Sequence, residues 1–533
     1  MADVAPTDLP PLGLFSLAYA HLLLVLDDAE FFDAQKPFTL GEQRGIAVAV
    51  NTLVVRSHLS RGSGFGQMRG GSARLMEAAA RLLRGLQTRD SRRPFAPPGL
   101  WLAPAAAAAR PISVAAAAAA LTVHLGLATP AGDPSTGKAA EDSAAAEVGA
   151  GLLVDCPHAL PFHYRVQIFR QLVHDDRLRA GYRPQAGGVD ADENQGQGVR
   201  PVAEITVRRG RLLEDAISQI LPLGATARGR LAVRFTNAAG GDEAGIDAGG
   251  LFKELLSEIS SHGFNPERGV FTATAGGLVH PSSGGGDSHE GIMLLELIGM
   301  MVGKGLYEGL LQEVQLAPFF AKALLGIPRT LDDLPSLDPE LHRSLVQVLR
   351  YDGEVADLCL DWTVQEECFG AVVTHELRPN GANVEVTNEN RLGYVHAVAD
   401  FHLNRRSRNA NNAFLRGLSR IVAPGWLQLF GVRELSLLMS GGDADVDTED
   451  LRRHTVYSGG YSKDSRSVAM FWEAVTGFSP EERRALLKFV TSSARPPVQG
   501  FRHLHPPFTI HKVGLWLMAH GLWVRIEDVG FRV

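Results

Sequence analysis

Three kinds of side chain in this sequence could do chemistry, and they sit in separate places. Cysteine could accept an acyl group, and the chain has Cys156, Cys359 and Cys368. The last two fall in "YDGEVADLCLDWTVQEECFG", where no basic neighbour and no glycine turn at a helix N-terminus favours the thiolate. Both are expected to be buried thiols rather than nucleophiles. Asp242, Glu243 and Asp247 crowd one loop, but a calcium loop needs ligands at alternate positions closed by a distal glutamate. Solvated turn carboxylates fit that spacing better. His503, His505 and His511 in "HLHPPFTIH" lack the spacing of a zinc site, so surface histidines are expected, with no metal or other cofactor. No serine-histidine elbow or phosphate-binding loop is present. Taken residue by residue, the sequence shows no catalytic constellation.

The elements that must position these groups belong to a long chain. At 533 residues it exceeds one compact core, and roughly two to four structural units are expected. Hydrophobic content of 45% with 21% charged residues points to packed globular domains. A net charge of −7 gives no basic footprint for displacing counterions from phosphates, which argues against a sequence-independent nucleic-acid binder. Three cysteines cannot form a disulfide framework, and the odd count fits a reducing, cytoplasmic or nuclear setting. The apolar N-terminal run has no basic leader, so it is read as a helix rather than a signal peptide. Its stripe is expected to be Leu14, Leu17, Ala18, His21, Leu22 and Val25, with Asp27 and Asp28 marking its end. The tract "WLAPAAAAARPISVAAAAAALTVHLGLA" is split by Arg110 and Pro111, and alanine gains little from lipid, so an Ala-biased helix or a low-complexity insert is expected rather than a membrane span.

The organisation reads as a helical region over 1–102, an Ala-rich, low-complexity and disordered stretch over 103–150, and a short ordered piece with a linker over 151–200. From Val202 onward, helices alternate with short strands. "AEITVRRG" is a strand entering the helix "RLLEDAISQIL", and "RLAVRFTN" is a second strand with Leu231, Val233 and Phe235 on one face. "GIMLLELIGMMVGKGLYEGLL" is apolar almost all round, as in a helix buried inside a large lobe. The fold class is α+β, mostly helical.

Six phrases occur in order: "DEAGIDAGGLFKELLSEI", "GKGLYEGLL", "LPSLDPELHRSLVQVLRYDGEV", "VEVTNENRLGYVHAVADFHLNRR", "SGGDADVDTEDLRRHTVYSGGY" and "FWEAVTGFSPEERRALLKFVTSSARPPVQGF". Together they resemble the body of a HECT-type ubiquitin ligase between Val202 and Lys512, a stronger signal than any single motif. The text "DDAEFFDAQKPFTLGEQRGIAVAVNTLVVRSH" is similar to the region ahead of the catalytic domain in the branch with an upstream IQ motif. No IQ motif is present, so the chain is expected to be short at its front. The resemblance implies a bilobal domain: an N-lobe over 201–440, a hinge over 441–444, and a C-lobe over 445–533. The N-lobe would recruit a ubiquitin-conjugating enzyme, and a C-lobe cysteine would accept ubiquitin as a thioester and pass it to a substrate lysine. Gly441 and Gly442 would give the hinge its backbone freedom. The implied conjugating-enzyme groove comprises Leu324, Leu334, Leu341, Leu345, Leu349, Tyr351 and Phe369, although composition alone reads these as core. Thr387 is read as the N-cap of the helix carrying Tyr394, Val395 and Val398.

Family members continue past the phrase matching "PPFTIHK" into a Leu-Pro…Thr-Cys loop that holds the nucleophile. Here no cysteine follows Cys368. A serine or threonine without an adjacent base is a poor substitute. The expectation is a ligase by descent whose C-lobe is truncated before the acceptor cysteine, with a tail over 514–533 that does not complete the lobe's sheet. The alternative is a non-catalytic binder or decoy of conjugating enzymes. Ubiquitin and a conjugating enzyme are the implied partners, with no nucleic acid and no membrane.

Overall fold

The structure, a computed structural model, describes residues 9–61, 71–97, 99–103, 113–128, 149–181, 203–237, 241, 250–368, 371–442, 445–491, 493–497, 500–504, 507–512, 514–519 and 522–527. Two compact units emerge from the chain path. One takes Met1–Asp176, Ala317–Arg408 and Ala423–Glu434, and the other takes Arg177–Leu316, Asn409–Val422 and Leu435–Val533.

In the first unit, α1 (Leu9–Val25), α2 (Asp28–Phe32), α3 (Leu40–Arg61) and α4 (Gly71–Arg92) gather around Tyr19, Leu23, Phe31, Val54, Leu82 and Leu86. The helical reading of this region holds, but the stripe on α1 does not. The buried face carries Ser16, Tyr19, Ala20, Leu23 and Leu26, whereas Leu14 is 71% exposed and Leu17, Leu22 and Val25 also face outward. Both faces of α1 are apolar, so periodicity alone could not choose between them. The choice follows Tyr19, whose hydroxyl donates to Gln43 Oε1 at 2.6 Å, a bond available only on the inward side. α1 ends at Val25, just ahead of Asp27 and Asp28 as expected, and Asp27 also caps α2, its carboxylate accepting from the Glu30 N–H while Glu30 reaches back. The alanine tract, read as an Ala-biased helix or a low-complexity insert, includes α5 (Val114–His124) with Ala117, Ala118 and Leu121 buried, which is the first of those two readings. Alanine is the strongest helix former, and its small side chain lets a neighbour approach closely. The helix Phe162–Arg179 brings Phe169 edge-on to Trp426 and Phe430, at 6.4 and 5.8 Å between centroids.

In the second unit, β1 (Ala203–Arg208) runs parallel to β2 (Leu231–Thr236), with Ile205 opposite Val233 and Val207 opposite Phe235. Leu231, Val233 and Phe235 share the buried face, as the period-two reading expected. The helix His289–Glu308 is buried on nearly all sides. It lies so close to the helix Arg408–Ile421 that a Cβ on Gly299 would enter the Phe414 carbonyl, and one on Gly417 the Glu296 carbonyl. Its buried Lys304 donates to the carbonyls of Arg228 and Gly229 and to Glu308 Oε1, at 2.9, 2.8 and 2.6 Å. Residues 445–512 add a core of their own around Trp472, Leu487, Phe501, Phe508 and Ile510. There β7 (Val456–Ser458) pairs in parallel with β8 (Thr509–His511). Beyond it, β9 (Gly514–Ala519) and β10 (Leu522–Glu527) pair antiparallel with each other and, among the described residues, with nothing else. No helix among the described residues is long and apolar enough to cross a membrane.

Candidate functional site

The residues implied for a conjugating-enzyme groove fall within residues 318–408. The helix Pro318–Leu325 stops at Gly326, whose φ of 68° is the left-handed C-terminal cap. Thr330 and Asp333 then cap each other across the turn Leu331–Ser336. Asp338 starts the helix Pro339–Leu349 by accepting from the N–H groups of Glu340 and Leu341 at 3.0 and 2.9 Å. The antiparallel hairpin of β5 (Thr363–Cys368) and β6 (Ala371–Glu376) places Glu366 opposite Val373. Glu366 accepts from Arg406 Nε at 2.6 Å, and His375 lies with its ring 4.9 Å from Phe401. That side of the hairpin is anchored. The other side presents Val372, which is 66% exposed.

The residues implied for the groove divide accordingly. Leu324, Leu334 and Leu345 are buried, so they support the surface rather than form it. Leu341 and Leu349 are half-buried, and Tyr351 is 39% exposed. Phe369 lies outside the described residues, as do Asp242, Glu243, Asp247 and His505. Val372, Val373, Leu358 and Leu392 are exposed apolar residues around this region that the sequence reading passed over. A signal was present for two of them: Val372 and Val373 in the run "AVVT" on β6 stand in register with Glu367 and Glu366 on β5, charged residues where a buried ladder would place apolar ones.

Beneath this surface lies a group of buried charges. Lys322 and Asp333 pair at 2.6 Å with 4% and 3% of their side chains exposed. Burial lowers the Lys322 ammonium pKa, and Asp333 opposes that shift. Beside them, Asp332 Oδ1 accepts from the Asp28 N–H at 2.8 Å, while Arg92 bridges Asp28 and Asp332 at 2.6 and 3.2 Å. Arg89 adds bonds to Asp28 and to the carbonyl of Leu23, at 2.7 and 2.9 Å. Burial, reinforced by the neighbouring Asp28 carboxylate, pushes the Asp332 carboxyl up to about 6. The segment of Asp28 and helix α4 are thus joined to the turn Leu331–Ser336 by hydrogen-bonded ions.

Three other expectations meet geometry here. Cys359, expected to be buried, is exposed: it closes the turn Val355–Leu358 with a φ of 51°, which holds its side chain off the core. Cys156 is the buried thiol, and burial pushes it up to about 12. Thr387 does not cap its helix through its side chain. It opens the preceding turn, its N–H donating to Asn390 Oδ1 at 2.9 Å and its carbonyl accepting from the Arg391 N–H at 2.9 Å. Gly441 is buried with a φ of 78°, and a Cβ there would lie 2.9 Å from the Pro496 carbonyl oxygen. It ends the helix Val432–Ser440 through a bond from its N–H to the Leu437 carbonyl at 2.9 Å. A packed left-handed cap requires glycine at 441, whereas Gly442 is half-buried and is not among the glycines with positive φ. No cluster of three or more metal-ligating side chains occurs among the described residues.

The profile of the HECT domain, described as a ubiquitin-transferase, matches residues 257–516. The chain is a HECT-domain protein. The ubiquitin-protein ligases E3B of mouse and of human are each 34% identical to it over 510 residues, covering 94% of this chain and 44% of the relative. An E3 ubiquitin-protein ligase of Arabidopsis thaliana is 30% identical over 532 residues, covering 95% of this chain and 47% of its own length. The chain therefore spans less than half the length of these relatives. With 94% of the chain covered, the similarity also runs well upstream of residue 257, through the helix that carries Arg89 and Arg92.

Proposed function

We propose that the chain works in ubiquitin transfer as the recruiting part of a HECT-type ligase, binding a ubiquitin-conjugating enzyme on the surface of residues 339–408. The observation that carries this reading is the exposed apolar set of Tyr351, Leu358 and Val372 on a region stiffened by buried ion pairs within the HECT match. Rigid apolar groups ringed by polar ones are what a transient protein contact requires. Transfer through a thioester needs a thiol in the small lobe, and this polypeptide has none C-terminal to Cys368. Cys156 is buried, and Cys359 has no cation or histidine bonded to its sulfur. Cys156, Cys359 and Cys368 thus offer no activated acceptor sulfur, and the role proposed for these 533 residues is to hold a charged conjugating enzyme, in a reducing cytoplasmic or nuclear compartment. Incubation with activating enzyme, conjugating enzymes and ubiquitin tests both halves. A thiol-sensitive ubiquitin adduct on this chain overturns the claim of inactivity, and failure to bind any conjugating enzyme overturns the recruiting role.

A further inference from the structure

One cavity in the first unit has no part in that reading. It measures about 450 Å³ and is walled by Leu23 and Leu24 of α1, by α4 from Arg81 to Arg92, by Val154 and His158, and by Ile327 and Phe430. Six cations reach it, and five are already paired: Arg81 with Glu77, Arg89 and Arg92 with Asp28, Arg165 with Glu434, and Lys322 with Asp333. Arg84 is the sixth. Among the described residues its guanidinium has no carboxylate or carbonyl partner. His158 also lines the cavity; it is only 8% exposed, and its Nε2 has no hydrogen-bond partner. Burial, reinforced by Arg165 and Arg84, pushes the His158 imidazole down to about 3, so at neutral pH it is uncharged and free to carry its proton on Nε2.

We propose that this cavity binds a small apolar monocarboxylate, its carboxylate held by the Arg84 guanidinium and the His158 Nε2–H and its body against Leu23, Leu24, Val154, Ile327 and Phe430. The charge argument selects the head group. A single unpaired guanidinium beside a neutral donor balances one negative charge, whereas a phosphate dianion would keep a buried charge without a counterpart. The mostly apolar wall selects the body, and the volume lies in the range of small-molecule sites. A buried ring nitrogen left without a partner is itself costly, and a carboxylate oxygen would satisfy it.

The test uses the full chain and 2-naphthoate as probe, with 2-naphthamide as its uncharged match. A fragment of that size is expected to bind the wild type with a Kd of about 1 mM by ligand-observed NMR. The amide should bind at least about fivefold more weakly, the loss of one charge-assisted bond. Arg84→Gln should weaken naphthoate by a similar factor, leave the amide unchanged and keep the thermal midpoint, since Arg84 is exposed and unpaired. Leu24→Trp, at the half-exposed rim, should abolish binding of both. Absence of naphthoate binding to the wild type, equal binding of naphthoate and amide, or unaltered naphthoate binding by Arg84→Gln would each overturn the proposal.

Discussion

Replacing Lys322 by methionine probes the buried charges beneath the surface proposed to bind a conjugating enzyme. The side chains of Lys322 and Asp333 are 4% and 3% exposed, and the ammonium is 2.6 Å from Oδ1 and 2.8 Å from Oδ2. Methionine matches the length of lysine but leaves the carboxylate with the Thr330 N–H, 2.9 Å away, and its link to the cation gone. Removing one partner of such a pair costs about 3–5 kcal/mol, because the remaining charge stays out of water. At about 2–4 °C per kcal/mol for a domain of this order, the first unit should unfold roughly 6–20 °C earlier. The double variant Lys322→Met with Asp333→Leu should recover most of the loss, ending within about 1–2 kcal/mol of wild type once the cap on Thr330 is subtracted. Thermal unfolding followed by circular dichroism, with hydrogen exchange over residues 318–349, reads all three proteins. A single-variant loss below about 1 kcal/mol, or a double variant no better than the single, would refute the desolvation argument.

Further outcomes follow from the same structure. Asp332, with its carboxyl raised to about 6 against an unfolded 3.8, holds more protons folded than unfolded between those values, so it weakens the fold as pH rises through that window. The stability of Asp332→Asn relative to wild type should therefore improve from pH 4 to pH 6.5 in urea titrations, and a pH-independent difference would contradict this. Gly441→Ala, at a φ of 78° and 2.9 Å from a carbonyl oxygen, should cost at least about 1–2 kcal/mol, whereas Gly442→Ala should be neutral in thermal unfolding. Equal effects would show that the pair acts through freedom of the chain rather than through one packed cap. Val372→Asp and Tyr351→Ala should each weaken conjugating-enzyme binding by about tenfold or more at unchanged thermal midpoint, while Leu334→Ala, in the core, should act by unfolding. Surface plasmon resonance beside calorimetry separates the two behaviours.

Much of this architecture was legible because local pattern and global burial agree. The alternation in "RLAVRFTN" is the buried face of β2, and the all-round apolar text of 292–306 lies in an enclosed helix. Legibility failed where two readings were locally equal. On α1 both faces are apolar, and the choice was made by Gln43, a residue 24 positions away. Composition left the alanine tract open between a helix and a low-complexity insert, and it is the burial of Ala117 and Ala118 that makes α5 a packed helix. Within the groove, leucine at every position looks alike in a sequence, so only the packing separates Leu334, wholly enclosed, from Leu341, half-buried. The buried ions were invisible for a different reason: Asp28 and Asp332 meet across 304 positions, and no spacing rule spans that distance.

That separation governs the order in which the protein can be made. The guanidinium groups of Arg89 and Arg92 leave the ribosome long before the carboxylate of Asp332, and Arg165 precedes Glu434 by 269 positions. Until those carboxylates emerge, the nascent N-terminal helices hold cations whose intended counterparts do not yet exist, above apolar faces with nothing to close them. Vectorial synthesis therefore keeps this segment dependent on chaperones until more than four-fifths of the chain is complete, and a ribosome stalled before codon 332 should yield a protease-sensitive N-terminal fragment.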